Sequence, residues 1–285
     1  MSSPDATVAT SRPGSGTLAL LANELATQFR RQRTWAMLAA LALIPILMGV
    51  AIRLVGGSSP GRGPAFLDQV TNNGFFLALA ALTVAIPLFL PLTVSVAAGD
   101  AIAGEASHGT LRYLLIAPAG RLRLLAVKFG AAIAFCVAAT LTVVVAGSIT
   151  GGILFGLGPV TLLSGAQVSV GEGLLRLLAV AAYVSVSLIG LSAIGLFLST
   201  LTSVPVGAMA ATAILAVAAQ IVGAIPQLDA VHPWLFTDQW LGFGDLLRSP
   251  IVWDSFASNA LLQAGYVVVF AVAAIARFTT KDVLS

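Results

Sequence analysis

Charged residues are scarce in this chain. Asp, Glu, Lys and Arg make up 9% of its 285 residues, whereas a soluble domain carries about 25%. Because this number of charges is too small to cover a water-exposed surface, a soluble globular protein is excluded. Hydrophobic residues make up 58% of the chain and its mean hydropathy is +1.01, which together indicate an integral membrane protein.

Cysteine, lysine and buried acids are rarer still. The single cysteine, Cys136, excludes an intrachain disulfide and a cysteine-cluster metal site. The two lysines, Lys128 and Lys281, do not belong to a G-x-x-x-x-G-K-[ST] motif. We therefore expect that the chain does not bind and hydrolyse ATP itself. No Asp, Glu or His lies at the middle of a hydrophobic run, which argues against an ion-coupled carrier.

Six hydrophobic runs are each long enough to cross a bilayer, which takes about 20 helical residues. Because an isolated strand cannot satisfy its backbone in lipid, the predicted fold is an all-α integral membrane protein with six transmembrane helices. We expect residues 1–16 to be a disordered cytoplasmic tail and 17–285 to be a single transmembrane domain. The predicted spans are 35–54, 75–98, 126–154, 174–198, 206–225 and 259–278.

The arginines and lysines predict the orientation. With the N-terminus inside, ten of them lie on the inner side and four on the outer side, as the positive-inside rule requires. Both termini and the segment after the second span are then cytoplasmic. We expect a multi-pass protein of a prokaryotic cytoplasmic membrane.

Two segments beside the spans have an amphipathic pattern. The first predicts an N-terminal interfacial helix over 17–33, with an apolar face of Leu18, Leu21, Ala22, Leu25 and Phe29. The second predicts a short helix or re-entrant element in the external segment 229–258, where apolar residues recur at helical spacing. These are Phe236, Trp240, Phe243 and Leu247.

The segment 99–125 is too long for a simple connector, which takes about 2 to 8 residues. Asp100 and Glu105 are expected to begin a helix there, because acids complement a helix N-terminus. Gly109 is expected to end this helix in a left-handed C-cap, and Thr110 to cap a second short helix. The pattern predicts a cytoplasmic segment that docks a soluble partner.

The string DAIAGEASHGTLRYLLIAPAGRLRLLAVKF in this segment resembles the signature region of ABC-2-type transporter permeases. The family pattern has an acidic E-x-x-x-G-T-L stretch, then apolar residues, a small residue with Pro, an Arg, and a Lys at the head of the third span. The matching positions are Glu105, Gly109, Thr110, Leu111, Pro118, Arg121 and Lys128.

The resemblance implies a permease subunit of an ATP-driven exporter that moves a hydrophobic or amphipathic substrate by alternating access. It implies two copies of a separate ATPase, which carry ATP and Mg, and a second permease copy or a related permease. This chain itself would hold no cofactor and no metal, and would act with membrane lipid and without nucleic acid. The implied ATPase-coupling residues are Asp100, Glu105, His108, Gly109, Thr110 and Arg112.

Mildly polar residues within the spans are candidates to line a path through the membrane. The alternative is that they form hydrogen bonds between helices. The candidates are Thr83, Thr93, Gln220, Asn259 and Gln263. A second function also remains open, that of a non-transport membrane scaffold or sensor that uses the same cytoplasmic segment to dock a soluble protein.

Overall fold

The computed structural model describes residues 13–56, 73–107, 109, 120–162 and 164–280. Most of these residues are helical. The helices are α1 (Pro13–Arg30), α2 (Gln32–Gly56), α3 (Phe75–Ala85), α4 (Phe89–Ser107), α5 (Arg121–Phe155), α6 (Val170–Ser187), α7 (Ile189–Leu201), α8 (Pro205–Gly223) and α9 (Asp254–Thr280). Two short strands, β1 (Val160–Thr161) and β2 (Gln167–Val168), form an antiparallel pair between α5 and α6.

The predicted all-α fold with several apolar membrane spans is confirmed. Five helical segments are each long and apolar enough to cross a membrane: α2, α5, α8, α9 and the continuous pair α6–α7. The bent pair of α3 and α4 gives the sixth when it is taken as one span. Most of these helices extend beyond the predicted apolar runs, because a helix continues into the polar residues that flank a hydrocarbon core. The chain is therefore an all-α, multi-pass membrane protein.

The predicted N-terminal amphipathic helix is α1. It begins at Pro13, four residues before the expected start of the folded domain. Residues 1–12 of the expected disordered tail lie outside the described residues. The apolar face of α1 is divided: Leu18 is exposed, whereas Leu21 packs against Gly130 of α5. The helix is thus attached to the third span on one side.

The second span is bent at its two prolines. α3 and α4 meet at an angle of 59°, and the break lies at residues 86–88. Pro87 and Pro91 cause it, because each lacks the N–H that a continuous helix needs. In a regular helix the carbonyl of Pro87 would accept from the N–H of residue 91. Instead, the Gln220 side chain of α8 donates to this carbonyl at 2.6 Å.

The end of the second span differs from the prediction. α4 runs without a break from Phe89 to Ser107, so the expectation that Asp100 and Glu105 begin a helix is wrong. Both lie in the last turns of α4, where a carboxylate is unfavourable to the helix dipole. Ion pairs with other helices offset this cost. The predicted stop is confirmed, since Gly109 has a φ of 70°, the left-handed conformation of a C-cap.

Glycines bring the second and third spans together at the opposite end of the bundle. A Cβ atom on Gly147 of α5 would lie 2.6 Å from the Cα of Ala78, and Gly151 meets the backbone of Gly74. Only glycine permits so close an approach. Gly147 and Gly151, four residues apart on one face of α5, thus form a close helix–helix contact with α3 and the residue before it.

Candidate functional site

Six charged side chains from four helical regions meet at the end of the bundle where α1 lies. We call them the ionic cluster. They come from α1, the junction of α1 with α2, the last turns of α4 and the start of α5. The cluster consists of Glu24, Arg31, Arg33, Asp100, Glu105 and Lys128.

Lys128 is the most deeply buried member, with 4% of its side chain exposed. Its Nζ lies 2.8 Å from Oε1 of Glu24 and 3.0 Å from Oε1 of Glu105. A buried ammonium is costly to remove from water unless its partners are close and well placed. Two carboxylates from different helices meet this requirement, and Lys128 thereby joins α1 and α4 to the third span.

Asp100 forms the second half of the ionic cluster. Its Oδ2 accepts from Nη1 of Arg31 at 3.2 Å and from Nη1 of Arg33 at 3.3 Å. The guanidinium of Arg33 also donates to the carbonyl of Val96 and lies 3.2 Å from the sulfur of Met209 in α8. The two arginines are about half exposed, so each pair contributes modestly to stability. Their geometry connects the start of the first span to the second and fifth spans.

The ionic cluster links the end of α4 to α1, to the start of α2 and to α5 through ion pairs. A displacement of α4 along its axis must carry α1 and α5 with it or separate Lys128 from its carboxylates. Gly99, next to Asp100, lies against the backbone of Met209, so the second and fifth spans are also in direct backbone contact here. This end of α4 is therefore linked to α1, α5, α8 and the start of α2.

Among the predicted coupling residues, Asp100 and Glu105 belong to the ionic cluster, and Gly109 is the C-cap that follows α4. His108, Thr110 and Arg112 lie outside the described residues. The segment that contains them continues directly from the end of α4. A role for any of these residues in contact with an ATPase stays a prediction.

The predicted path residues fall into two groups. Thr83 and Thr93 donate to backbone carbonyls of their own helices, and Gln220 supports the proline bend between them. Asn259 and Gln263 of α9 are fully buried. Among the described residues, no hydrogen bond joins the two groups, and their role in a path stays a prediction.

The segment between α8 and α9 is inserted into the opposite end of the bundle. It forms three short 3-10 helices, Pro226–Leu228, His232–Trp234 and Gly242–Leu247. The α-helical periodicity read from its sequence is therefore wrong in type, because Gly242 and Gly244 disfavour a regular helix. Burial of the four apolar residues on the predicted face is confirmed: they are Phe236, Trp240, Phe243 and Leu247.

Side chains of the spans satisfy the backbone of this inserted segment. Tyr183 donates to the carbonyl of Gln239 at 2.6 Å, and Gln263 donates to that of Phe236 at 2.8 Å. In return, Trp240 donates to the carbonyl of Ser187. Ser187 lies about 25 Å along α6 from its first residue, at 1.5 Å per residue. The segment is thus a re-entrant element rather than a surface loop.

Arg176 binds the backbone near the end of the inserted segment that leads to α9. It is 6% exposed and donates to the carbonyls of Leu246 and Arg248 at 3.2 and 2.5 Å. Glu172, one helical turn earlier, balances its charge at 2.8 Å. In the sequence, Arg176 is one of the four cations on the predicted outer side. Its position one turn after an acid in an apolar helix was the available sign of a buried structural role.

The sequence also left the partners of Lys128, Glu24 and Asp100 unassigned. A usable signal existed, because the few charges of the chain gather at the ends of the spans, and a buried lysine requires a carboxylate. Which carboxylate it meets depends on the packing of helices far apart in sequence. Only the structure gives that pairing.

Comparison with known protein families shows that residues 18–232 match a family described as ABC-2 family transporter protein. The match covers about three quarters of the chain, from α1 through α8. A search of curated proteins found no match. The matched range contains the whole ionic cluster and the bent second span, and the chain belongs to the ABC-2 family of transporter proteins.

Proposed function

We propose that this chain is the permease subunit of an ATP-driven exporter in a prokaryotic cytoplasmic membrane. Family membership supports a membrane subunit of an ABC transporter. In this proposal both termini are cytoplasmic, two ATPase subunits supply ATP and Mg, and a second permease copy or a related permease completes the complex. The cargo is a hydrophobic or amphipathic molecule, consistent with spans that carry few charges.

The observation that carries the proposal is the connection of α4 to the rest of the bundle through the ionic cluster. α4 leads directly into the segment that resembles the ATPase-coupling region of the family. A force applied to that segment reaches Glu105 and Asp100 within one to three turns. From there Lys128, Arg31 and Arg33 pass it to the third and first spans.

The bend in the second span is a hinge about which α4 can move relative to α3. The backbone at Pro87 and Pro91 lacks two helical hydrogen bonds, so α4 can rotate against α3 at a lower cost than within a continuous helix. Gln220 spans the break and couples the rotation to the fifth span. ATP-driven closure of the ATPase would thus change the angle between the inner and outer halves of these spans.

The inserted segment closes the bundle at the outer end. Asn259 and Gln263 are fully buried and hydrogen-bonded to Ser187 and Phe236, which supports a closed outer end in this proposal. Opening toward the outside requires the segment to move or the two permease copies to separate. This arrangement fits alternating access, in which only one side is open at a time.

The test uses Glu105→Gln in the full chain, purified with its cognate ATPase. We expect the complex to lose the stimulation of ATP hydrolysis by transported substrate, because Glu105 can no longer hold Lys128 by charge. Asp229→Asn is the matched control: it also neutralises a carboxylate, but one that is 86% exposed at the opposite end. Its stimulation should equal that of the unaltered protein.

Two results would count against the proposal. If Glu105→Gln keeps both substrate-stimulated hydrolysis and transport into inverted vesicles, coupling through the ionic cluster is rejected. If the chain captures a soluble partner but no ATP turnover depends on it, the scaffold or sensor function replaces the exporter.

A further inference from the structure

The ionic cluster borders an open cavity of about 770 Å³ between the α1–α2 junction and the start of α8. One wall is charged and contains Arg31, Arg33 and Asp100. The other is apolar and contains Val206 and Met209. A cavity with two half-exposed guanidinium groups beside an apolar wall matches an amphiphile whose headgroup is negative.

The charged wall has unused donors. Each guanidinium carries five N–H groups. Arg31 donates to Asp100 through one nitrogen, Nη1, and its side chain is 49% exposed. Asp100 serves both arginines with a single oxygen, Oδ2, so one carboxylate balances two cations. Glu105 also borders the cavity and shares Lys128 with Glu24, so the ionic cluster as a whole is neutral. A phosphate would therefore be attracted by the exposed guanidinium N–H groups rather than by an excess of positive charge.

The position along the membrane normal suits a lipid headgroup. The arginines lie where an amphipathic helix turns into the first span, which is the level of the membrane surface. Trp35, one turn further on, is 61% exposed, as is typical of aromatic residues at that level. α8, which has 19 residues, points its N-terminus at the cavity, and the positive end of the helix dipole favours a phosphate.

The apolar wall continues away from the arginines. Val206 is 71% exposed, and Ile214 and Ile221 on the same side of α8 are 68% and 58% exposed. Residues spaced by seven or eight lie on one face of a helix. This face gives an acyl chain a continuous surface from the headgroup toward the centre of the bilayer. A carboxylate side chain of a soluble protein could bind the arginines, but it would leave this apolar surface uncovered.

We infer that this cavity binds an anionic phospholipid, with its phosphate on Arg31 and Arg33 and an acyl chain along α8. The lipid would link the first span to the fifth beside the end of α4. This inference stands apart from the proposed ATPase coupling, and its test contains no ATPase.

The experiment measures phosphatidylglycerol binding to the purified full chain in detergent by native mass spectrometry, with phosphatidylcholine as the neutral comparison. The unaltered protein should retain phosphatidylglycerol in preference. The double variant R31Q/R33Q should bind it about 25-fold more weakly, at roughly fivefold for each basic residue near an anionic headgroup. The control R53Q/R248Q removes two exposed arginines at the opposite end and should change binding by less than about twofold.

Asp100→Asn separates lipid binding from folding. It breaks the same ion pairs but frees both guanidinium groups, so phosphatidylglycerol binding should stay or increase. Binding lost equally in D100N and R31Q/R33Q would show that the arginines act only through Asp100, and would overturn the inference. So would binding by R31Q/R33Q equal to that of the unaltered protein.

Two further outcomes would overturn it in favour of other occupants. Displacement of the lipid by an equal concentration of inorganic phosphate would indicate a free-anion site rather than a lipid site. Phosphatidylglycerol bound to monomers and excluded from dimers would indicate that a second copy of the chain covers this face.

Discussion

Lys128 shows how one residue fixes the relation of several helices. Its ammonium is buried and is neutralised by Glu24 and Glu105, which lie 104 and 23 residues away in the sequence. Only 23% of the Glu24 side chain and 20% of the Glu105 side chain are exposed, so water alone would solvate these carboxylates incompletely. The removal of this single cation leaves two carboxylates facing each other between α1 and α4.

The variant Lys128→Met tests this dependence. We expect it to lower the free energy of unfolding by on the order of 3 kcal/mol, because breaking a buried ion pair leaves its partners uncompensated. The triple variant E24Q/E105Q/K128M should recover most of the loss, since no charge is then left unpaired. Urea unfolding in detergent measures both, with the exposed Arg53→Met as the control for loss of a cation.

A stability of K128M equal to that of R53M would contradict this account of the cluster. A triple variant no more stable than K128M would show that the methylene packing of Lys128, and not its charge, matters.

At the scale of elements, the proline bend was predictable and its support was not. Pro87 and Pro91 signal a break because proline lacks an N–H wherever it occurs. The donor that replaces this N–H comes from Gln220, 133 residues away from Pro87. Local chemistry is encoded in a short stretch of sequence, whereas such a pairing depends on how the second and fifth spans pack.

A double-mutant cycle tests the link between Gln220 and the bend. Gln220→Leu should cost about 1 kcal/mol, because it leaves the partly buried carbonyl of Pro87 without a donor. In a Pro91→Ala background the new N–H can reach that carbonyl, so the same substitution should cost less by about 1 kcal/mol. Unfolding of the four proteins in detergent gives the coupling energy.

Gln167→Leu in the exposed strand β2 serves as the control, and its effect should add to that of Pro91→Ala. If Q220L costs the same with proline or alanine at position 91, Gln220 does not replace the missing helical bond.

At the scale of the whole molecule, composition and charge determine more of the fold than of the site. Six spans follow from hydrophobic length, and the burial of Phe236 and Trp240 follows from their spacing. The ends of α4 and α5 were harder, because the helix that holds Asp100 and Glu105 continues past the apolar run. The acids suggested a helix start only because their partners, Arg31 and Lys128, were unknown.

The orientation of the whole molecule rests on ten cationic residues against four, and labelling with an impermeant maleimide tests it. Native Cys136 is fully buried, so unaltered protein should remain unlabelled and serve as the control. Gln167→Cys places a thiol on the exposed strand β2, and Thr27→Cys places one on the exposed side of α1. In intact cells Q167C should react and T27C should react only after lysis, because positive charge near span ends is retained inside. Reaction of T27C in intact cells would show that the protein has the opposite orientation. The ionic cluster would then lie out of reach of a cytoplasmic ATPase.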